Sequence, residues 1–130
     1  DLSKVKSDLF ILGGVTDHIT PWKATYRSTQ LFGSKDVTYV LSQSGHMQAI
    51  LNPPGNPKAK YFVQKKKGKL PPTADEWLQS TEEVNGSWWP YWMEWIQMRS
   101  GDKKAAPETV GSDTYKAMDP APGLYVVEEV

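Results

Sequence analysis

Asp8-Leu9-Phe10-Ile11-Leu12-Gly13-Gly14 is the stretch on which the fold turns. Its apolar residues run together without alternation and end in a glycine pair. That is the pattern of a short strand covered on both faces, as in a parallel sheet. A polar loop, Val15-Thr16-Asp17-His18-Ile19, follows. Thr20-Pro21 then reads as an N-cap with proline at the first helical position. The helix is expected to run to about Phe32, where Gly33 supplies the stop. Past Ser34-Lys35-Asp36 comes a second apolar run, Val37-Thr38-Tyr39-Val40-Leu41, rich in β-formers and ending in Ser42-Gln43-Ser44-Gly45-His46. Strand, loop, helix, strand, loop is a βαβ unit whose two strands should be parallel. Asp17 and His46 each fall just past the C-terminal end of a strand, the edge at which open parallel sheets bind ligands.

Beyond His46 a short helix is expected over 46–51, and Asn52-Pro53-Pro54-Gly55-Asn56-Pro57 blocks any regular element after it. Lys60-Tyr61-Phe62-Val63 reads as a short extended piece. Residues 64–72 form a basic, proline-ended loop containing Lys65-Lys66-Lys67 and Lys69. Thr73-Ala74-Asp75-Glu76 is a capping box, so a helix is expected from there to about Val84, where Asn85-Gly86 breaks it. Ser87 caps another helix, 88–99, on which Trp88, Trp92 and Trp95 share one face. From Asp102 the chain turns Gly-, Pro- and Ala-rich, and Leu124-Tyr125-Val126-Val127 is expected to close it as a docked extended segment.

Composition narrows the functions available. An apolar fraction of 38% and six tryptophans support a packed core in this chain of 130 residues. Lys+Arg and Asp+Glu balance at 15 each, so no surplus of charge points to nucleic acid. The longest apolar run is too short for a transmembrane segment. With no cysteine, the chain holds no disulfide, no thiolate metal site and no thiol nucleophile of its own. The opening Asp1-Leu2-Ser3-Lys4, without Met or a basic-then-apolar leader, reads as an excised or processed segment.

Several residues can carry chemistry. A carboxylate beside an imidazole fixes its tautomer and stabilises the imidazolium, which lets the histidine act as a general base. Asp17 and His46 suit that arrangement if the two strands are adjacent. The blander reading is that Asp17 caps a turn and His46 merely opens a helix, and on periodicity alone it comes first. His18 either lines the same pocket as a substrate-binding residue or stiffens the loop. Two histidines without cysteines and without metal-binding spacing give no metal site. Trp88, Trp89, Trp92 and Trp95 read as a packed helix, or else as a surface for an acyl chain or polymer. The run near Lys65 is a solvated loop or a contact for a phosphate-bearing ligand.

Longer strings shift this balance. Gly14-Val15-Thr16-Asp17-His18-Ile19-Thr20-Pro21-Trp22-Lys23 is similar to the segment around the catalytic Asp of poly(3-hydroxyalkanoate) synthases. Ser44-Gly45-His46 with Asn52-Pro53-Pro54-Gly55-Asn56-Pro57-Lys58 resembles their catalytic-His segment. Gly86-Ser87-Trp88-Trp89-Pro90 resembles their C-terminal aromatic helix, and Pro120-Ala121-Pro122-Gly123-Leu124-Tyr125-Val126 the end of these enzymes. The resemblance implies the C-terminal portion of an α/β-hydrolase fold: a short parallel sheet with flanking helices and an irregular tail. Residues 1–64 would be the βαβ part with the Asp and His loops. Residues 65–130 would be the basic loop, two helices and an extended tail packed on the same domain.

The resemblance also implies an activity, the polymerisation of 3-hydroxyacyl groups from coenzyme A thioesters with release of free coenzyme A. It assigns His46 the role of general base. It leaves Asp17 either to orient His46 or to activate the incoming 3-hydroxyl. In α/β-hydrolases the chain order is nucleophile, acid, histidine. The family's Cys nucleophile would therefore lie upstream, and the chain alone would be inactive. No cofactor is implied, since coenzyme A belongs to the substrate. The implied partners are the N-terminal remainder of the enzyme, the 3-hydroxyacyl-coenzyme A and the polyester chain, with no nucleic acid and no membrane span. A homodimer or association through an exposed sheet edge is also expected, at the granule surface in the cytoplasm. Two other readings compete: a fragment of a Ser-dependent esterase, and a non-catalytic module whose Trp-rich helix binds polymer or a partner.

Overall fold

The structure, a computed structural model, describes residues 1–66 and 68–129. Lys67, part of the expected basic run, lies outside the described residues. Residues 1–100 form one compact unit and 101–130 another. The first unit is α/β, built on a four-stranded sheet in the order β1-β2-β3-β4. Strands β1 (Leu9–Gly14) and β2 (Val37–Ser42) are parallel, in register from Leu9↔Val37 to Gly14↔Ser42. Helix α1 (Trp22–Ser28) connects them, completing the βαβ unit.

The sheet is not the short parallel one expected from the resemblance. Strand β3 (Lys60–Gln64) pairs antiparallel with β2, and β4 (Thr81–Asn85) pairs antiparallel with β3, so the sheet is mixed. The extended piece at Lys60 is thus a full strand. Strand β4 replaces the second half of the helix expected from Thr73 to Val84. Helix α3 (Ala74–Gln79) opens with the capping box, Thr73 and Glu76 exchanging two bonds of 3.2 Å, but it stops at Ser80. The local sequence Thr81-Glu82-Glu83-Val84 has fair helix propensity. The open edge of β3 overrides it by offering a complete backbone ladder, a Lys60–Glu83 ion pair at 2.6 Å, and an apolar cluster for Val84.

Strand β2 is the central element, with Tyr39, Val40 and Leu41 at most 1% exposed. Helices α1 and α3 cover one face, where Tyr26 and Trp77 pack on Tyr39 and Leu41 of β2. Trp77 is fully buried, with ring centroids 4.9 Å from Tyr39 and 5.5 Å from Tyr26. The deepest tryptophan therefore lies outside the face formed by Trp88, Trp92 and Trp95. The other face holds Val40, Tyr61, Val63 and Trp88, with Phe10 packed against them. Helix α4 (Trp89–Gln97) follows Trp88. Its last turn leads to Arg99, which bonds Asp8 at 2.9 Å and Asp36 at 2.6 Å and so ties the entrances of β1 and β2 together.

Helix α1 begins after Thr20 rather than at it. Pro21 occupies the cap position, and Thr20 spends its donors elsewhere. The regular helix ends at Ser28, and three residues continue it with i→i−3 bonds of 3.0–3.1 Å. In the second unit the expected extended segment is a 3-10 helix, Leu124–Val127, entered through Gly123 at φ 87°. Among the described residues no helix is long and apolar enough to cross a membrane.

Candidate active site

The parallel pairing of β1 and β2 does not stop where the strands end. Val15 N–H donates to Ser42 O at 2.9 Å and Thr16 N–H to Ser44 O at 3.3 Å. The two loops that leave the sheet are thus joined before Asp17 and His46 are reached. Gly14 makes this approach possible. A Cβ there would lie 2.7 Å from Ser44 O and 3.0 Å from Ala49 Cβ, so only glycine lets helix α2 (His46–Ile50) lie over the end of β1.

His46 is the first residue of α2, and its Nδ1 lies 2.8 Å from Asp17 Oδ2. Asp17 Oδ2 also accepts from Thr20 Oγ1 at 2.7 Å. Asp17 Oδ1 accepts the backbone N–H groups of Ile19 and Thr20, each at 2.9 Å. Each carboxylate oxygen has two lone pairs, so all four positions are in use. The side chain is 6% exposed. The Thr20 N–H holds its pKa well below the usual carboxylate range. Burial opposes that shift, while the Thr20 hydroxyl, His46 and the Ile19 N–H add to it. An ionised carboxylate can only accept, so Nδ1 of His46 carries a proton, and in the neutral ring Nε2 holds the lone pair. The His46 side chain is 37% exposed, and Nε2 has no protein partner among the described residues. Close in sequence to Asp17 or His46, the apolar residues Ile19, Met47, Ile50 and Leu51 are each more than half exposed.

Helix α2 has five residues, too few to be stable by itself. Its C-terminal carbonyls are held from outside. Trp88 Nε1–H donates to Ala49 O at 2.7 Å, Trp89 Nε1–H donates to Ile50 O at 3.0 Å, and the Ser87 hydroxyl donates to Asn52 O. The Ser87-Trp88-Trp89 string, read from sequence as packing or polymer-binding surface, is also the clamp on the helix that carries His46. The signal was present in part, because a buried indole N–H usually finds an acceptor. Which acceptor it takes is set by contacts 39 residues away in the chain.

The structure therefore brings Asp17 and His46 together and leaves His18 out. His18 is exposed, and its ring makes no hydrogen bond to the described residues. The loop is stiffened by Asp17 itself, not by His18 as the sequence suggested. Thr20 is the residue that the sequence reading assigned to another task.

No family model matches the chain. It is 50% identical over 127 residues to poly(3-hydroxyalkanoate) polymerase 2 of Ectopseudomonas oleovorans, which covers 98% of this chain and 22% of that one. It is 44% identical over 128 residues to poly(3-hydroxyalkanoate) polymerase 1 of the same organism, with coverage of 98% and 22%. This chain is homologous to the poly(3-hydroxyalkanoate) polymerases. The polymerase subunit PhaC of Cupriavidus necator is 40% identical over 126 residues, with 97% of this chain and 21% of the subunit covered. The chain spans about a fifth of these relatives' length and matches their C-terminal part. The aligned residues omit only a few of the 130, so the Asp17 loop, α2 and the Ser87-Trp88-Trp89 clamp all lie in the polymerase-like stretch.

Proposed function

We propose that this chain is the part of a poly(3-hydroxyalkanoate) polymerase that supplies the general base His46 and its orienting carboxylate Asp17, in an α/β-hydrolase-type catalytic domain. The observation that carries this reading is the 2.8 Å contact between Asp17 Oδ2 and His46 Nδ1 at the C-terminal edge of a parallel strand pair, with Nε2 unpartnered among the described residues. The names of the relatives supply the substrate class. The 130 residues contain no cysteine, so the thiol nucleophile comes from the part of the enzyme outside them.

The chemistry follows from the tautomer. Nε2 of His46 accepts the thiol proton as sulfur attacks the carbonyl of a 3-hydroxyacyl-coenzyme A. The tetrahedral intermediate collapses with cleavage of the carbon–sulfur bond to coenzyme A, whose thiolate takes the proton back from His46. In the elongation step the 3-hydroxyl of one acyl group attacks the enzyme-bound thioester of another. His46 takes the hydroxyl proton, an ester bond forms, the carbon–sulfur bond to the cysteine breaks, and His46 returns the proton to the departing thiolate. Asp17 has no vacant lone pair for a substrate hydroxyl, which favours orientation of His46 over direct activation of the nucleophile. The exposed apolar side chains of Ile19, Met47, Ile50 and Leu51 suit contact with acyl chains or with the rest of the enzyme. An enzyme that extends a polyester in this way would work at a granule surface in the cytoplasm.

The test is coenzyme A release by the full-length enzyme carrying this segment. His46→Ala should lower the rate by about 10⁶-fold and Asp17→Asn by about 10⁴-fold, as loss of a triad His or Asp does, and thiol alkylation should abolish it. An undiminished rate in His46→Ala would remove the general-base assignment. Inhibition by a serine-directed reagent but not by thiol alkylation would favour the esterase.

A further inference from the structure

We infer that Thr20 is the residue that positions the Asp17 carboxylate, and that its hydroxyl decides which lone pair of Asp17 is left for His46. The inference rests on the proposed pairing of Asp17 with His46 as the catalytic acid–base unit.

Three of the four bonds to Asp17 come from within the same loop, and two of those come from Thr20. The two backbone donors, Ile19 and Thr20, both address Oδ1. They hold that oxygen in an Asx-type turn, but they leave rotation about the last side-chain bond restrained at one oxygen only. The Thr20 hydroxyl, 2.7 Å from Oδ2, restrains the second oxygen. It occupies one of the two lone pairs of Oδ2, and the remaining one faces His46 Nδ1. Without the hydroxyl, that position is open to water, and the carboxylate plane can turn away from the imidazole.

The backbone explains how Thr20 reaches this place. A residue before proline is steered away from the helical region toward extended backbone. Thr20 is followed by Pro21, the N-cap of α1, so its own N–H lies outside the helix and turns back to Asp17. Helix capping by Thr20, the usual role of threonine in Thr-Pro, would use the hydroxyl on the helix instead. Here the side chain makes no helix cap, and its hydroxyl is given to Asp17. One residue thus serves both oxygens of the carboxylate.

Thr20→Val keeps the shape and removes only the hydroxyl, and Thr20→Ser restores the hydroxyl without the methyl group. In the full-length enzyme, Thr20→Val should lower kcat about tenfold with little change in KM. That is the loss of about 1.4 kcal/mol from the transition state, just under the roughly 1.5–3 kcal/mol of one hydrogen bond to a charged group. Thr20→Ser should recover most of the rate. On the 130-residue chain the readout is the low-field proton NMR signal of His46 Nδ1–H, which should weaken or vanish in Thr20→Val and return in Thr20→Ser. Wild-type kcat in Thr20→Val, while Asp17→Asn and His46→Ala are inactive, would overturn the positioning role and leave the proposed function intact. An unaltered Nδ1–H signal in Thr20→Val would overturn it as well. Full activity of Asp17→Asn and His46→Ala would instead overturn the function on which the inference rests.

Discussion

Asp17 is held as an anion by four donors, and this has a consequence for pH. Its folded pKa is depressed, first by the Thr20 N–H. A depressed carboxylate contributes stability that is fully present above its unfolded pKa of about 3.9, and the contribution is lost as pH falls through the lower folded value. In a carbon-detected NMR titration, Asp17 should therefore remain ionised at pH values where an ordinary aspartate is already half protonated. A midpoint at or above the ordinary value would show that the four-donor arrangement does not persist in solution. Gly14 is the second residue that the site depends on. A Cβ there meets the Ser44 backbone oxygen at 2.7 Å, and backbone gives way less easily than the tip of a side chain. Gly14→Ala should therefore cost about 1–3 kcal/mol, as overpacking does, and should displace α2 with His46. A thermal melt unchanged by the substitution would show that the loop relaxes freely.

At the scale of elements, the Trp-rich segment and the five-residue helix α2 form one structural device. Trp88 is 8% exposed and donates to Ala49 O, whereas Trp92 is 37% exposed and has no such bond. Trp88→Ala should cost about 3–5 kcal/mol, the range for truncating a buried aromatic, and Trp92→Ala clearly less. Trp88→Phe is the finer test, because it keeps most of the packing and removes the bond to Ala49 O. It should cost about 0.5–1.5 kcal/mol and speed hydrogen exchange in α2. Equal losses of melting temperature at Trp88 and Trp92 would contradict the clamp. Loss of polymer binding without loss of stability would favour the surface reading of this helix.

At the scale of the molecule, the sheet has two unlike edges. Strand β4 carries Glu82 and Glu83 and pairs Glu83 with Lys60, the charged finish that discourages edge pairing. Strand β1 is Leu-Phe-Ile-Leu-Gly-Gly, with β2 on one side and, among the described residues, no strand on the other. Leu9 N–H bonds Asp36 O and Val15 N–H bonds Ser42 O. By the alternation of a strand, the amides of Phe10 and Leu12 then face away from β2. The sheet has four strands rather than the two foreseen from sequence, so it is better supported, yet the apolar edge stays open. The 130-residue chain should self-associate at micromolar concentration in light scattering, with slow exchange at the Phe10 and Leu12 amides in the associated form. A monomer with sharp two-state unfolding and fast exchange at both amides would sink that expectation.

Some of this protein was legible in its sequence by itself. The βαβ unit could be read because two unbroken apolar runs, each closed by small or polar residues, have few other ways to be buried. Asp17 and His46 could be placed at one edge because parallel strands send both following loops to the same end of the sheet. The capping box at Thr73 is a contact within four residues, so it too was visible. Tertiary structure decided the rest, and for one physical reason: the partners are remote in sequence. Strand β4 exists because β3 offers a ladder, against the helical preference of its glutamates. Trp77 became the buried centre of one face because α1 and β2 close around it, which no periodicity of α3 announces. Trp88 and Trp89 hold α2 through carbonyls 39 residues back. Thr20 looked like a helix cap because cap residues and carboxylate ligands share the same hydroxyl, and only the folded loop determines which acceptor receives it.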